Sequence, residues 1–327
     1  MIIYRKLVRA PLVYIKRYYA SDTKQKLLRV GVIGMPNSGK SSLINCIIQQ
    51  KISAVSHIPH TTRISCDGVY NIDDTQLIFT DTPGVVSYRE GHRLNLSKAH
   101  IRTPRRLDGS IDIAAVMVDV NHKKTRNFID SNILDIIHNL EPLPCILIMN
   151  KVDLVKRKED LLSITTLLTE DRLKDEWGYK PYGGYKKFKE CFFTCAKTGE
   201  GIDPLMDYLI SKAKPERWIY SEDAITDLSM EFQISEVFRE KLLVLFGQEI
   251  PWQVQQETIL LQEDQDGCIH VHQQLQWPKK SQCRYVESKF ELLHNESMRE
   301  LEGLLGCNVN LNLMIKNKKR MLRNDYG

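Results

Sequence analysis

The sequence predicts an α/β domain with a doubly wound sheet and a phosphate-binding loop, followed by a smaller α+β domain. Three observations predict it. First, the strand-like run Arg29-Val30-Gly31-Val32-Ile33-Gly34 leads through Gly34-Met35-Pro36-Asn37-Ser38-Gly39-Lys40-Ser41 into a helical run ending near Gln49. Second, two more apolar runs, 77–80 and 145–149, close in Asp81-Thr82-Pro83-Gly84 and Asn150-Lys151-Val152-Asp153. Third, beyond Lys214-Pro215 the pattern changes to helix, two strands, helix, strand.

The first motif has the form G-x-x-x-x-G-K-S between a strand and a helix, the setting a P-loop requires. Glycine lets the backbone turn so that successive N–H groups converge on phosphate oxygens. The helix N-terminus adds partial positive charge. Gly34, Asn37, Ser38, Gly39, Lys40, Ser41 and Ser42 are therefore candidate nucleotide-binding residues, with Lys40 on the β/γ-phosphates and Ser41 on Mg²⁺.

Asp81, at a strand end, suits the Mg²⁺ shell through water, and the Gly84 N–H suits the γ-phosphate. The Asp153 carboxylate can accept both N1–H and N2–H₂ of guanine, a donor pair that adenine lacks. Asn150 would hold the loop and the base edge, and Lys151 would lie along the base plane. Cys195-Ala196-Lys197 is a Cys variant of the Ser-Ala-Lys loop, with the Ala196 amide directed at guanine O6. In this order, each at a strand end, the motifs make a P-loop GTPase domain similar to translation-factor-class small GTPases.

Switch I is expected over His57–Arg63, with Thr62 as the Mg²⁺ ligand and Thr61 the alternative, and switch II from Gly84 to about 106. The catalytic set is Lys40, Thr62 and Gly84, and the metal set is Ser41, Thr62 and Asp81. Val85 stands where Ras-type enzymes carry the water-orienting Gln, so slow intrinsic hydrolysis is expected. Asn37 resembles the Asn of potassium-activated GTPases, which implies K⁺ stimulation; the alternative is that it only shapes the loop.

The rest of the domain reads as a strand over 113–119 and helices near 125–140 and 201–214. Residues 171–190 read as a surface insertion, either inert or touching RNA through interleaved Tyr and Lys.

In the second domain the pattern predicts a helix over 226–246 and strands over 252–262 and 267–277, then a helix over 288–305 and a strand over 309–316. That order suggests a KH module of the type with an early β-hairpin. Together with GMPNSGKS, HTTR, DTPG and NKVD, the run Ser235-Glu236, Arg239-Glu240-Lys241-Leu242 and Gly247-Gln248-Glu249-Ile250-Pro251 resembles the Era family, specifically its mitochondrial form. The resemblance implies a G domain over 28–214, a linker over 215–222, a KH-like RNA-binding domain over 223–316 and a basic tail over 317–327. It also implies binding of small-subunit ribosomal RNA near its 3′ end, late small-subunit assembly, peripheral contact with the inner mitochondrial membrane, and GTP/GDP with Mg²⁺ as cofactors. Laid on the family pattern, the GXXG clamp falls on Arg284-Tyr285-Val286-Glu287, where neither Gly stands and Glu287 repels phosphate. RNA contact is therefore expected at basic edges, Lys279, Lys280, Arg284 and Lys289, then Lys316, Lys318, Lys319 and Arg320.

The charge supports this division. The 327 residues hold 46 Lys plus Arg against 41 Asp plus Glu, a net of +5. Residues 1–30 alone carry +7, leaving −2 for the rest. A basic, acid-poor start reads as a mitochondrial transit peptide and linker over 1–27, with a basic arm that binds RNA or anionic lipid as the alternative. No run of about 18 apolar residues exists for a membrane span. The eight Cys are scattered and the nine His show no metal-ligand spacing, so free thiols are expected. No feature points to a permanent oligomer. The expected function is a matrix GTPase that binds small-subunit rRNA and assists mitochondrial small-subunit assembly. The alternative is a GTP-switched protein- or membrane-docking module whose KH fold no longer holds RNA.

Overall fold

The computed structural model describes residues 25–52, 66–82, 111–170, 182–246 and 249–317. The chain divides into two compact units between Asp227 and Leu228. Thr62, Gly84, Lys318, Lys319 and Arg320, with both expected switches and residues 1–24, lie outside the described residues.

In the first unit the strands are β1 (Lys26–Gly34), β2 (Cys66–Ile72), β3 (Thr75–Asp81) and β4 (Ile113–Asp119), then β6 (Cys145–Asn150) and β8 (Phe188–Thr194). Two-residue β5 (Ile129–Asp130) and β7 (Tyr182–Gly183) pair separately, and β9 (Lys214–Pro215) joins the start of β1. The sheet order is β2-β3-β1-β4-β6-β8. The central strands are parallel, whereas β2 and β9 run antiparallel. β3 and β6 are buried along their whole length, as strands covered on both faces must be.

Helices α1 (Lys40–Ile48) and α4 (Ile202–Lys212) cover one face; Leu43, Ile44 and Ile47 meet Leu205, Met206 and Leu209 in one core. Helices α2 (Ser131–Asn139) and α3 (Glu159–Thr169) cover the other, where Ile133, Ile137, Ile164 and Leu168 pack with Val116 and Leu147. Each such buried side chain contributes roughly 1.5–3 kcal/mol. The expected helix at 125–140 begins later, at Ser131, because the Asp130 carboxylate caps it by accepting from the Asn132 N–H. The parallel strands bring Gly34, Asp81, Asp119, Asn150 and Thr194 to one edge, with Val32 beside Asp81, Asp119 beside Asn150 and Asn150 beside Thr194. Open α/β sheets bind ligands at that carboxyl edge.

Two expectations change. The surface insertion expected over 171–190 falls outside the described residues up to 181, and its second half belongs to the fold. Tyr185 is buried in the α2/α3 core, its N–H donates to the Leu168 carbonyl, and its ring meets His138 and Phe188 edge-on. It is thus a core residue rather than an RNA contact. The segment expected to be a linker over 215–222 is laid along the sheet, and so are 223–227, expected in the second domain. Glu216 pairs with Arg29, and Gln76 Oε1 accepts from the N–H groups of Ile219 and Tyr220 at 3.0 Å each. Tyr220 Oη donates to Asp67, Val69 N–H donates to the Ile225 carbonyl, and Asp67 N–H donates to the Asp227 carboxylate.

The second unit contains α5 (Met230–Leu245), α6 (Glu249–Gln253), β10 (Gln255–Glu263), β11 (Ile269–Trp277), α7 (Lys280–Glu287), α8 (Phe290–Leu305) and β12 (Val309–Asn317). Its sheet order is β10-β11-β12, antiparallel then parallel. Ser229 caps α5, accepting from the Phe232 N–H, which moves the start from the expected 226 to 230. Phe238, Leu242, Val271, Leu275, Trp277, Leu293 and Leu301 fill the core. α7 was not expected. It turns the segment 284–287 into the last turn of a helix, so the phosphate-clamp position expected there is corrected. The connection between α7 and α8 is Ser288-Lys289 and contains no glycine.

Candidate functional site

The site begins where β1 ends. Gly34 and Gly39 shape a cradle too tight for any side chain. A Cβ on Gly34 would stand 2.6 Å from the Met117 carbonyl, and one on Gly39 would stand 2.2 Å from Asn150 Nδ2. Gly39 has φ +103°, in the left-handed region, and Asn37 has φ 62°. These turns aim the loop at the start of α1. Ser38 is buried and its Oγ has no hydrogen-bond partner among the described residues. A narrow cradle at a helix N-terminus with a buried orphan hydroxyl fits an anionic phosphate chain.

Lys40 is buried, and its ammonium donates to the carbonyls of Gly34 and Met35 at 3.1 and 3.0 Å. Burial pulls its pKa down to about 8, against the opposing pull of Asp81. Ser41 Oγ donates to Asp81 Oδ2 at 2.7 Å, so the two oxygens assigned to Mg²⁺ are adjacent. Such an oxygen pair suits a hard cation that keeps several waters. Thr82 Oγ1 donates to the Val32 carbonyl at 2.6 Å and fixes the chain after β3. Ser42 follows on α1, half-buried.

The base-side residues converge on the same loop. Asn150 Nδ2 donates to the Ser38 carbonyl at 2.8 Å, and its Oδ1 accepts from the Ala196 N–H at 3.1 Å and Thr194 Oγ1 at 3.3 Å. Lys151 adopts φ 67° and donates to the Asn37 carbonyl and to Asp119 Oδ2, each at 2.7 Å. Its side chain thus spans the groove between the phosphate and base loops. Asp153 is exposed in the one-turn helix Val152–Leu154 that the Lys151 turn starts. Cys195 and Ala196 are buried and Lys197 is exposed. The sequence reading missed Asp119 and Thr194. Their signal was a polar residue closing an apolar run, 113–118 before Asp119 and 191–193 before Thr194.

A family model described as 50S ribosome-binding GTPase matches residues 29–151. The mitochondrial GTPase Era of Danio rerio is 30% identical over 339 residues, covering 90% of this chain and 76% of that protein. The chain belongs to the Era family of GTPases. GTPase Era of Rickettsia canadensis (strain McKiel) is 31% identical over 296 residues, covering 89% of this chain and 92% of that one. A crystal structure of Era with MgGDPNP and nucleotides 1506–1542 of 16S ribosomal RNA shares the fold. Its TM-score is 0.74 at 23% identity, over 90% of this chain and 95% of that one.

The Era-like residues of α5 are structural in this family member. Arg239 and Glu240 are buried, Arg239 pairs with Glu236, and Lys241 pairs with Glu300 of α8 at 3.0 Å. Of the expected RNA contacts, Lys279, Lys280, Arg284 and Lys316 are exposed. They lie at one end of the second unit, because Gln276 pairs with Lys316 and the Cys283 thiol reaches the Lys316 carbonyl at 3.4 Å. Lys289 is committed elsewhere. Its ammonium donates to the Leu245 carbonyl at 3.1 Å and stands 5.5 and 5.6 Å from the Phe246 and Tyr285 ring centres.

Proposed function

We propose that this Era-family GTPase acts in mitochondria, binding small-subunit ribosomal RNA and assisting small-subunit assembly, with GTP hydrolysis governing release. The observation that carries the RNA reading is the cluster Lys279, Lys280, Arg284 and Lys316 at one end of the second unit's sheet. An RNA-bound Era of the same fold and the mitochondrial relatives support it. Phosphate contacts by such side chains do not need a glycine clamp. The basic, acid-poor start supports a mitochondrial transit peptide and a matrix location, ending before β1, which takes up Lys26 and Leu27 of the expected 1–27.

In the G domain, Lys40 and the N–H groups around Gly39 would hold the phosphates, and Ser41 and Asp81 would hold Mg²⁺, with Thr62 as the third metal ligand. The ion would supply charge neutralisation at the β- and γ-oxygens. Asn150 keeps the base loop against the phosphate loop, Asp153 selects guanine, and Gly84 senses the γ-phosphate. Asn37 would admit K⁺ as the charge-stabilising cation in place of an arginine. Equal hydrolysis rates in Na⁺ and K⁺ would refute that last part.

A second reading is a docking module for protein or the inner membrane, without RNA. It is favoured by the glycine-free Ser288-Lys289 connection and by the exposed Tyr285 and Leu292. Crosslinking followed by sequencing of the bound RNA, in GTP-analogue and GDP states, separates the two. Small-subunit rRNA among the crosslinks is the expected result; its absence in both states would favour docking.

A further inference from the structure

β10 turns into β11 through residues 264–268, and the turn gathers a carboxylate, a thiol and an imidazole. Asp264 Oδ1 accepts from the N–H groups of Asp266 and Cys268, each at 2.9 Å. That fixes the carboxylate and leaves Oδ2 3.0 Å from His270 Nε2. Cys268 and His270 are two residues apart, so they share the sheet face opposite core-facing Ile269 and Val271. One ligand atom from each of Asp264, Cys268 and His270 lies within 4.8 Å of the others. A tetrahedral ion with bonds of about 2.0–2.3 Å holds its ligand atoms roughly 3.3–3.8 Å apart. The set is close to that spacing before any adjustment.

We propose that Asp264, Cys268 and His270 form a binding site for a divalent transition ion of the zinc class, with water in the fourth position. The donor set selects this class. Thiolate and imidazole suit zinc-like ions, whereas Mg²⁺ and Ca²⁺ require oxygen ligands. The spacing i, i+4, i+6 matches no helical or Cys-x-x-Cys pattern, which is why the sequence showed no ligand set. Only the hairpin turn brings Asp264 back over Cys268 and His270.

The site sits at the start of β11, while Lys279 and Lys280 follow its end nine residues on. At about 3.3 Å per residue, roughly 30 Å separates them. Substitutions in the trio therefore leave the basic edge intact.

The test is titration of the full, reduced chain with Co²⁺ in excess Mg²⁺, which occupies oxygen-only sites. The expected result is a single Co²⁺ per chain, with thiolate-to-cobalt charge-transfer absorption, tetrahedral d–d bands, and displacement by Zn²⁺. Cys268→Ser removes the charge-transfer band. His270→Ala weakens binding by more than the about 10–100-fold that loss of an outer partner causes. His272→Ala, one pleat repeat further along the same face, changes neither. No charge-transfer band in the unaltered chain, a band that survives Cys268→Ser, or equal losses in His270→Ala and His272→Ala would each overturn the proposal.

Discussion

The side-chain amide of Asn150 donates to the Ser38 carbonyl across 2.8 Å, while its oxygen accepts from Ala196 and Thr194. One buried side chain thus fastens the phosphate loop to both base loops. Asn150→Ala leaves those buried groups unpartnered, at about 1–3 kcal/mol each. GDP affinity should fall at least about tenfold, and the melting temperature of the ligand-free protein should fall with it. Titration with a fluorescent GDP analogue measures the first; unchanged affinity would contradict this role.

Asp153 stands exposed on its one-turn helix, ready to accept two hydrogen bonds from a base edge. Asp153→Asn replaces one acceptor by a donor. Guanine affinity should drop roughly 10–100-fold through the unmatched donor pair, and xanthine nucleotides, with a carbonyl at that edge, should gain. Competition of GDP and xanthosine diphosphate for the variant decides the matter.

Lys40 yields a pH dependence with a definite sign. Its folded pKa, about 8, lies below the ordinary 10.5. Between those values the unfolded chain binds more protons, so stability rises with pH there and is lost as pH falls through 8. The stability of the unaltered protein minus that of Lys40→Met should therefore grow from pH 7 to 10.5, by up to about 3 kcal/mol. Denaturant unfolding across that range is the measurement, and a flat difference would exclude a depressed Lys40. GTP affinity should decline above about pH 8 as the ammonium is lost.

Gln76 is wholly buried, donates to Asn71 and the Tyr220 carbonyl, and accepts from Ile219 and Tyr220 N–H groups. Gln76→Ala should destabilise the first unit by about 2–4 kcal/mol, through several orphaned partners at once. Proteolysis should then cut within 216–227. Resistance equal to that of the unaltered protein would show that this segment is held by something else.

The basic residues of the second unit divide into two classes. Lys279→Gln, Lys280→Gln and Lys316→Gln together should weaken RNA binding and lower the salt slope by about 0.7 for each lost phosphate contact with single-stranded RNA. Lys289→Met should leave RNA binding unchanged and cost about 1–2 kcal/mol of stability, because its ammonium serves Leu245 and two rings. Filter binding across a salt series, beside thermal unfolding, tests both halves.

The nucleotide cradle was legible because its chemistry is local: Gly34, Lys40, Asp81, Asn150 and Asp153 sit in short motifs at strand ends. The alternation and apolar runs also revealed the sheet, since strands covered on both faces must be apolar. What escaped depends on contacts distant in sequence. Asp119 became a site residue only through Lys151, and Tyr185 became core only through Leu168 and His138. α7 escaped because it is a short, mostly polar helix whose apolar residues are few: Cys283 and Val286 alone turn inward with Gln282. Lys289 looked like a phosphate contact because charge in a sequence does not show which groups its ammonium already serves.

β2 is one of the two outermost strands of the sheet, and outermost strands present unpaired backbone groups to any chain that approaches. Here the stretch ending at Asp227 closes part of that border: Gly68 bridges to Thr226 and Val69 bonds to Ile225. A polypeptide ended at Lys214 would expose a ready template for intermolecular β-pairing. The smallest well-behaved GTP-binding fragment should therefore extend to Asp227, and a shorter one should aggregate with its nucleotide motifs intact.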